Sequence, residues 1–179
     1  MNAVLLHREQ VLRLHVAVDE AGRVGRVQPA RGTAGEVLAK DLGGGPDRSL
    51  ALLFRSILEL TIAELERSGT PVRHVSVMSG FRTPSYNETG GDPSGRAALS
   101  RHMYGDAADI FIDNDGNGSM DDLDGDRRVN LRDARVIEEC VNRVERAYPA
   151  LIGGTGIYPG TSAHGPFIHI DTRGFRARW

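Results

Sequence analysis

The sequence predicts one α+β domain over residues 1–179, with a small antiparallel sheet flanked by helices. Two observations lead to this prediction. Segments with the three- and four-residue spacing of amphipathic helices are mixed with short alternating segments that are typical of strands. Neither an internal repeat nor a regular strand–helix–strand alternation is present, so a parallel sheet is not expected. The 179 residues are enough to bury one core.

The predicted elements begin with strands over residues 11–18 and 24–27, where apolar and polar residues alternate around a glycine-containing turn. A long amphipathic helix then begins at Asp47 or Ser49 and ends at Gly69. The later elements are a strand over 72–78, an ordered polar loop over 85–96, a strand over 107–112, a helix over 134–148, and strands over 155–158 and 167–171.

Composition excludes several classes of function. The formal net charge is −2, so no global positive field favours nucleic acid. Cys140 is the only cysteine, which excludes an internal disulfide and a cysteine metal cluster, and its helical setting predicts a buried side chain. No apolar run approaches the roughly 20 residues of a membrane span, and residues 1–10 do not read as a signal peptide.

Two histidines and an aspartate are candidates for a metal site. His102 precedes the predicted strand that contains Asp109, and His169 lies on a later strand where Phe167 and Asp171 share its face. Such a trio can supply three ligands of a tetrahedral Zn²⁺ and leave the fourth position for water, as in catalytic zinc sites. The spacing alone leaves open whether these side chains bind a metal or form ordinary hydrogen bonds.

Three segments resemble the M15 family of zinc peptidases. They read Ser-Gly-Phe-Arg-Thr-Pro over residues 79–84, Ser-Arg-His-Met-Tyr-Gly-Asp-Ala-Ala-Asp over 100–109, and Phe-Ile-His-Ile-Asp over 167–171, followed by the closing Trp179. The resemblance implies a D-alanyl-D-alanine carboxypeptidase or a murein endopeptidase that acts on peptidoglycan peptides. It also implies a periplasmic or secreted location and an α+β fold related to the hedgehog signalling domain.

The resemblance assigns roles to four residues. It implies that His102, Asp109 and His169 bind Zn²⁺ on the sheet. It implies that Arg82 is the cation that holds a substrate carboxylate or the developing oxyanion. Tyr104 is a further candidate for the lining of the substrate cleft.

The general base is not assigned, because many family members carry an acidic residue three positions before the last histidine ligand, where this chain has Pro166. Hydrolysis at zinc needs a proton acceptor within hydrogen-bond reach. Asp171, on the strand face of His169, is the favoured candidate, and His164 is the second. The other interpretation of Asp171 is a residue that orients a metal ligand.

Residues 113–133 form an acidic insert with seven acids and three arginines, whereas the rest of the chain has a net charge of +2. Such local acidity predicts a bound cation, and the spacing fits an EF-hand or dockerin-like Ca²⁺ loop. In the frame that starts at Asp122, Arg127 occupies position 6, where glycine is usual and a left-handed backbone is expected. The ligands predicted at positions 1, 3, 5, 7, 9 and 12 are Asp122, Asp124, Asp126, the Arg128 carbonyl, Asn130 and Asp133.

A second frame begins at Asp113 and overlaps the first. Because the two frames share residues 122–124, they predict either one Ca²⁺ or two ions that share Asp124. The bound calcium is expected to be structural. The ligands of this frame would be Asp113, Asp115, Asn117, Ser119, Asp121 and Asp124.

The first functional hypothesis is therefore a zinc metallopeptidase that hydrolyses peptidoglycan stem peptides or their cross-links. The alternative is a catalytically weak or inactive module, stabilised by zinc and calcium, that binds cell wall or protein. Pro166 is the main support for that alternative. A calcium sensor is a weaker third hypothesis, because a lone half-hand rarely acts as a switch.

Overall fold

The computed structural model describes residues 48–90 and 97–179, and the predicted strands over 11–18 and 24–27 lie outside these ranges. The described residues form helices and a five-stranded mixed sheet, which confirms the predicted α+β class. The helices are α1 (Arg48–Arg67), α2 (Pro84–Thr89) and α3 (Leu131–Ala147). The strands are β1 (Val75–Ser79), β2 (Ala107–Ile112), β3 (Gly154–Tyr158), β4 (Phe167–Asp171) and β5 (Ala177–Arg178).

Helix α1 ends where the sequence predicts. Its apolar residues Ile57 and Leu65 are buried in the core. Gly69 follows with a φ of 94°, a left-handed conformation that glycine adopts without a Cβ clash. The predicted caps Asp47 and Ser49 lie outside the described side chains.

Two helix boundaries differ from the prediction because capping side chains set them. The start of the predicted 85–96 loop is helix α2, whose N-cap Thr83 accepts a hydrogen bond from the Tyr86 N–H, with Pro84 in the first turn. Helix α3 begins three residues before the predicted Ala134. Asn130 and Asp133 form a capping box there, in which each side chain satisfies backbone N–H groups at the helix start.

The sheet has the strand order β1-β2-β4-β3-β5. The first four strands are antiparallel neighbours, as predicted, whereas β5 is parallel to β3. Strand β5 is absent from the prediction because it has only two residues. Its placement brings the C-terminal Trp179 beside β3, where the Ile157 N–H donates to the Trp179 carbonyl.

One face of the sheet belongs to the hydrophobic core, and the other carries polar side chains. Ile110, Ile168 and Ile170 lie in the core with the apolar faces of α1 and α3, and Cys140 is fully buried there, as predicted. His169 and Asp171 alternate with these isoleucines on β4 and therefore point to the opposite face. The fold thus presents His169 on the sheet face opposite to Ile168 and Ile170.

Candidate metal centre

The three candidate ligands meet on the polar face of the sheet. Asp109 on β2 pairs directly with His169 on β4, and His102 reaches them from a 3-10 turn before β2. One ligand atom from each of the three lies within 4.8 Å of the others, and all three residues are buried. This group can hold a metal ion.

The His102 ring contacts a backbone carbonyl on one side and the other two candidate ligands on the opposite side. Its Nδ1 lies 2.7 Å from the Gly80 carbonyl oxygen, which can only accept, so Nδ1 donates the proton. Nε2 then carries the lone pair, and it lies 3.2 Å from His169 Nδ1. Gly105 ends the turn with a φ of 73°, which returns the chain to β2.

The His169 ring is oriented in the same manner by a carboxylate. Its Nε2 lies 2.9 Å from Asp171 Oδ2, and an ionised carboxylate accepts the proton from that nitrogen. His169 Nδ1 is left with its lone pair and lies 2.9 Å from Asp109 Oδ1. Both histidines therefore direct a lone pair toward Asp109, as metal-ligating histidines do.

Asp171 is enclosed by donors. Besides His169, its carboxylate accepts hydrogen bonds from the backbone N–H groups of Gly154 and Arg173 and from the Arg173 guanidinium. Its side chain has no solvent exposure. These contacts suit a residue that orients His169, and the prediction that Asp171 is the general base stays untested.

Opposing effects set the pKa values of this group. Burial alone would raise the pKa of Asp109. In the metal-free protein the imidazole nitrogens that face it can act as donors, and hydrogen bonds from His102 and His169 outweigh burial and hold the pKa below its usual range. A bound metal ion would take the place of those protons. The same balance lowers the pKa of Asp171, where the hydrogen bonds come from His169 and Arg173. Burial would lower the pKa of His169, but its two carboxylate partners raise it. Both carboxylates are therefore ionised at neutral pH.

Arg82 follows β1 and lies beside Asp109. Its Nη2 donates to Asp109 Oδ2 at 3.2 Å, and its Nε donates to the Ser79 hydroxyl at 2.9 Å. Its backbone N–H donates to the His102 carbonyl, which joins the first two resembling segments. A guanidinium therefore stands at the edge of the candidate metal site.

His164 lies in the loop between β3 and β4. Its Nδ1 is 2.7 Å from the Gly165 carbonyl oxygen, and its ring meets the edge of Phe167 with a centroid distance of 5.2 Å. His164 is not part of the group formed by His102, Asp109 and His169. Its role as a general base also stays a prediction.

A cleft of about 840 Å³ opens above the three candidate ligands. Tyr104 lines it and is 41% exposed, and the prediction that this residue contacts a substrate stays untested. A cleft of this volume is large enough for a peptide segment or another ligand of that size. Its walls also contain Arg82, Arg101, Tyr158, Phe167, Arg173, Phe175 and Trp179.

The cleft wall depends on two glycines of β3 that the sequence interpretation missed. A Cβ at Gly156 would lie 2.4 Å from Trp179 Nε1, and a Cβ at Gly154 would lie 2.5 Å from Asp171 Oδ2. The Trp179 ring lies 5.4 Å from the His169 ring, centroid to centroid. The alternating Gly-x-Gly on a strand is the local signal, because it removes side chains from one face.

The acidic insert forms two separate groups that can hold a metal ion. Asp113, Asp115 and Asp121 form one, and Asp122, Asp124 and Asp126 form the other. The Asp113 frame closes at Asp121, which accepts from the Asn114 N–H at 2.9 Å. Asp124 belongs to the second group, so the two groups share no residue.

In the Asp122 frame, Arg127 has a φ of 68°, the left-handed conformation expected at position 6. The Asp122 carboxylate accepts from the N–H of Arg127 at 2.7 Å, which closes the turn. Asp133 is fully buried and accepts from the Leu123 N–H at 2.7 Å. Asn130 and Asp133 therefore cap α3, and Asp133 is not part of the acidic group of this loop.

Asn117 and Ser119 stabilise the turns of the first loop through their backbone N–H groups. The Asn117 N–H donates to Asp113 and Asp115, and the Ser119 N–H donates to the Asn117 side-chain oxygen. In the second loop, the Arg128 carbonyl oxygen accepts from the Asn130 amide at 3.3 Å. These bonds order both loops around their acidic side chains.

Comparisons with protein-family models, with curated proteins and with solved structures found no match for this chain. Within residues 48–90 and 97–179, no helix has the length and apolar character needed to cross a membrane.

Proposed function

We propose that this protein is a zinc-dependent peptidase that hydrolyses peptide bonds in bacterial peptidoglycan stem peptides or their cross-links. One observation carries the proposal. His102 Nε2, His169 Nδ1 and the Asp109 carboxylate converge, and the other nitrogen of each histidine is bound to an acceptor. Two imidazoles and a carboxylate, without sulfur, are a donor set that suits catalytic Zn²⁺.

Bound zinc supplies Lewis acidity, which polarises a scissile carbonyl and acidifies water. The residues of the chain supply orientation and charge. His102 and His169 are held by Gly80 and Asp171, so the ligand geometry is set before a metal arrives. Arg82 offers a guanidinium at the edge of the site for a peptide carboxylate or a developing oxyanion.

We assign Asp171 to the orientation of His169. Its oxygens already accept from His169, Gly154 and Arg173, and burial keeps water from it, so a proton acceptor is needed elsewhere. His164 keeps the role of second candidate, because its Nδ1 donates to Gly165 and its Nε2 is left as an acceptor.

The two acidic loops are proposed to bind Ca²⁺ as structural ions. Oxygen ligands on tight turns suit this hard cation, and the loops connect β2 to α3. The concentration of calcium outside the cell agrees with the proposed periplasmic or secreted location. Calorimetric titration of the metal-free protein is expected to give two Ca²⁺ per chain, and a value of one would contradict the separation of the loops.

The peptidase proposal is tested with purified peptidoglycan and analysis of the released muropeptides. New products are expected with the zinc-loaded protein, loss of these products with a chelator, and recovery with added Zn²⁺. His169→Ala is expected to abolish both zinc binding and product formation. His74→Ala is the matched control, because this histidine lies outside the candidate metal group. Unchanged digestion by the His169→Ala protein would contradict the proposal.

A zinc-stabilised binding module is the second candidate function. It is favoured by Pro166 and by the cleft lining. Asp109 is the sole acidic residue that the described part of the chain contributes to that lining. Co-sedimentation with peptidoglycan without any new muropeptide, in the presence of Zn²⁺, would support the module and exclude the peptidase.

A further inference from the structure

Two arginines in the cleft have no role in the proposed chemistry. Arg101 binds Asp106 through its Nε and Nη2, and Arg173 binds Asp171 in the same way. Both carboxylates have no solvent exposure, whereas 24% of the Arg101 side chain and 21% of the Arg173 side chain are exposed. Each guanidinium is therefore anchored from below and open to the cleft.

Aromatic rings fix the same two guanidinium groups from the side. Arg101 lies 4.7 Å from the Tyr104 ring centroid, and Arg173 lies 5.0 Å from that of Trp179 and 5.7 Å from that of Phe175. A guanidinium that is held by a two-point ion pair and by rings loses little side-chain entropy when it binds a ligand.

The two anchors lie next to each other at one end of strands β2 and β4. Ala107 pairs with Asp171 in the sheet, and Asp106 directly precedes Ala107. The Thr172 N–H donates to the Asp106 carbonyl oxygen at 3.1 Å. The hydrogen bond with Asp171, and then the charges of Asp171 and Asp106, raise the pKa of Arg173 against the effect of burial. Arg82, in contrast, contacts Ser79 on β1, on the other side of the Asp109–His169 pair.

Each of these two arginines has one nitrogen left for a ligand. The Nη1 atoms of Arg101 and Arg173 have no hydrogen-bond acceptor within residues 48–90 and 97–179. Charge points to the kind of ligand. Arg82, Arg101 and Arg173 balance Asp106, Asp109 and Asp171, so a bound dication leaves a net charge of +2 at the cleft. An anionic group is therefore favoured.

We infer that Arg173, supported by Arg101, forms a second carboxylate subsite. The peptide in the cleft would then carry a free carboxylate on a residue beside the scissile bond, in addition to the group that meets Arg82. The substrate class is an acidic peptide whose two carboxylates are close enough to reach Arg82 and Arg173 at the same time. This inference rests on the proposed function, because it takes the cleft as a peptide site.

The test uses two synthetic peptides that differ only in a carboxylate or a carboxamide on the residue beside the scissile bond. We expect wild-type protein to prefer the acid about 10- to 100-fold through KM, as for a hydrogen bond between charged groups. Arg173→Gln is expected to remove most of this preference, because it raises KM for the acid more than KM for the amide. Arg173→Lys should restore part of it, and Arg101→Gln should have a smaller effect.

The acid-to-amide ratio separates recognition from structural damage, because a distorted site affects both peptides equally. Arg176→Gln is the matched control, since Arg176 lies outside the cleft and 51% of its side chain is exposed. An equal preference of the wild-type protein for the two peptides, or a ratio that Arg173→Gln leaves unchanged, would overturn the inference.

Binding gives a readout that is independent of turnover. Trp179 is the only tryptophan and lies beside Arg173, so its fluorescence should report peptide binding to the zinc-free protein. The acid is expected to bind about 10-fold more tightly than the amide. If the zinc-loaded protein cleaves neither peptide but this ratio is found, the peptidase proposal fails and the subsite stands. If both peptides are cleaved and bound equally well, the peptidase proposal stands and the subsite fails.

Discussion

The candidate metal centre and the acidic insert both gather metal-binding side chains, but they do so in different ways. In the centre, His102, Asp109 and His169 come from distant parts of the chain and are buried on a sheet. In the insert, each group lies within nine consecutive residues on turns. A site assembled by the fold is held in place by the sheet, whereas a local loop is held only by its own turn hydrogen bonds and gains more stability from a bound ion. Chemistry is therefore expected at the first and stabilisation at the second.

The largest expected effect tests whether the candidate metal centre and the acidic insert act independently. His169→Ala should lower peptidase activity by at least about 1,000-fold, because several kcal/mol of transition-state stabilisation depend on the metal. The same variant should leave the calcium-dependent rise in Tm intact. Asp122→Ala should do the reverse, with zinc content unchanged and the calcium-dependent rise in Tm reduced by about 3–8 °C.

Metal analysis, muropeptide release and calcium-dependent melting of the two variants check this expectation. A loss of activity in Asp122→Ala at a temperature where the protein is folded would show that the two regions are not independent.

A smaller effect is expected at Asp171, which contacts His169 but is not one of the three candidate ligands. Asp171→Asn should weaken zinc affinity about 10- to 100-fold, because the His169 ring loses its carboxylate partner. Competition with a chelator measures this affinity. Asp106→Asn is the control, since it is an equally buried carboxylate bound to an arginine but does not contact a histidine. Equal losses in both variants would contradict an orienting role for Asp171.

The insert contains a residue whose replacement should stabilise the protein. Arg127 has a φ of 68°, and a residue with a Cβ is strained there by about 1–2 kcal/mol. Arg127→Gly should raise the free energy of unfolding by about 0.5–1 kcal/mol, because glycine also loses more backbone entropy on folding. Urea unfolding in calcium measures the change, with Arg128→Gly as the neighbouring control. A destabilised Arg127→Gly variant would contradict the strain.

The smallest expected effect lies outside both regions, at an ion pair between α1 and α3. Hydrogen bonds and charges from Arg67 and Arg143 lower the pKa of Glu64 from 4.5 to about 2, against the effect of burial. A lowered pKa stabilises the fold above the unfolded value, so this contribution is present above about pH 4.5 and is lost as the pH falls toward 2.

Because solvent screens the pair, Glu64→Gln should cost only about 0.3–0.5 kcal/mol at pH 7. The difference from wild type should disappear in unfolding measurements as the pH approaches 2. Glu66→Gln is the control, because the Glu66 side chain is exposed. A difference that persists at the lowest pH would exclude the ion pair as its cause.

Local patterns in the sequence predicted much of the fold. Gly69 marked the end of α1, and the alternation over residues 167–171 placed His169 opposite the core isoleucines. Strand β5 was missed because two residues carry no periodicity, and its position depends on pairing with β3. Helix α2 was missed although Thr-Pro is a common helix start, since its polar residues resemble a loop.

The candidate ligands could be predicted because each lies in a short motif. Contacts between distant residues could not be predicted in this way. His102, Asp109 and His169 were found from their segments, and the structure brings them together. The ion pair between Arg101 and Asp106 and the enclosure of Asp171 depend on the sheet register and on Arg173, which no local spacing reveals. Asp121, predicted at position 9 of the first frame, accepts a hydrogen bond from Asn114 across the turn, and Asp124 lies with Asp122 and Asp126, a grouping that the overlapping frames left open.

The proposal that His102, Asp109 and His169 bind catalytic zinc is best tested by anomalous diffraction at the zinc edge from crystals of the zinc-loaded protein. We expect one strong peak about 2.0–2.2 Å from His102 Nε2, His169 Nδ1 and an Asp109 oxygen, with the fourth position facing the cleft. A peak only at the acidic loops, or a fourth protein ligand that closes the site, would contradict it.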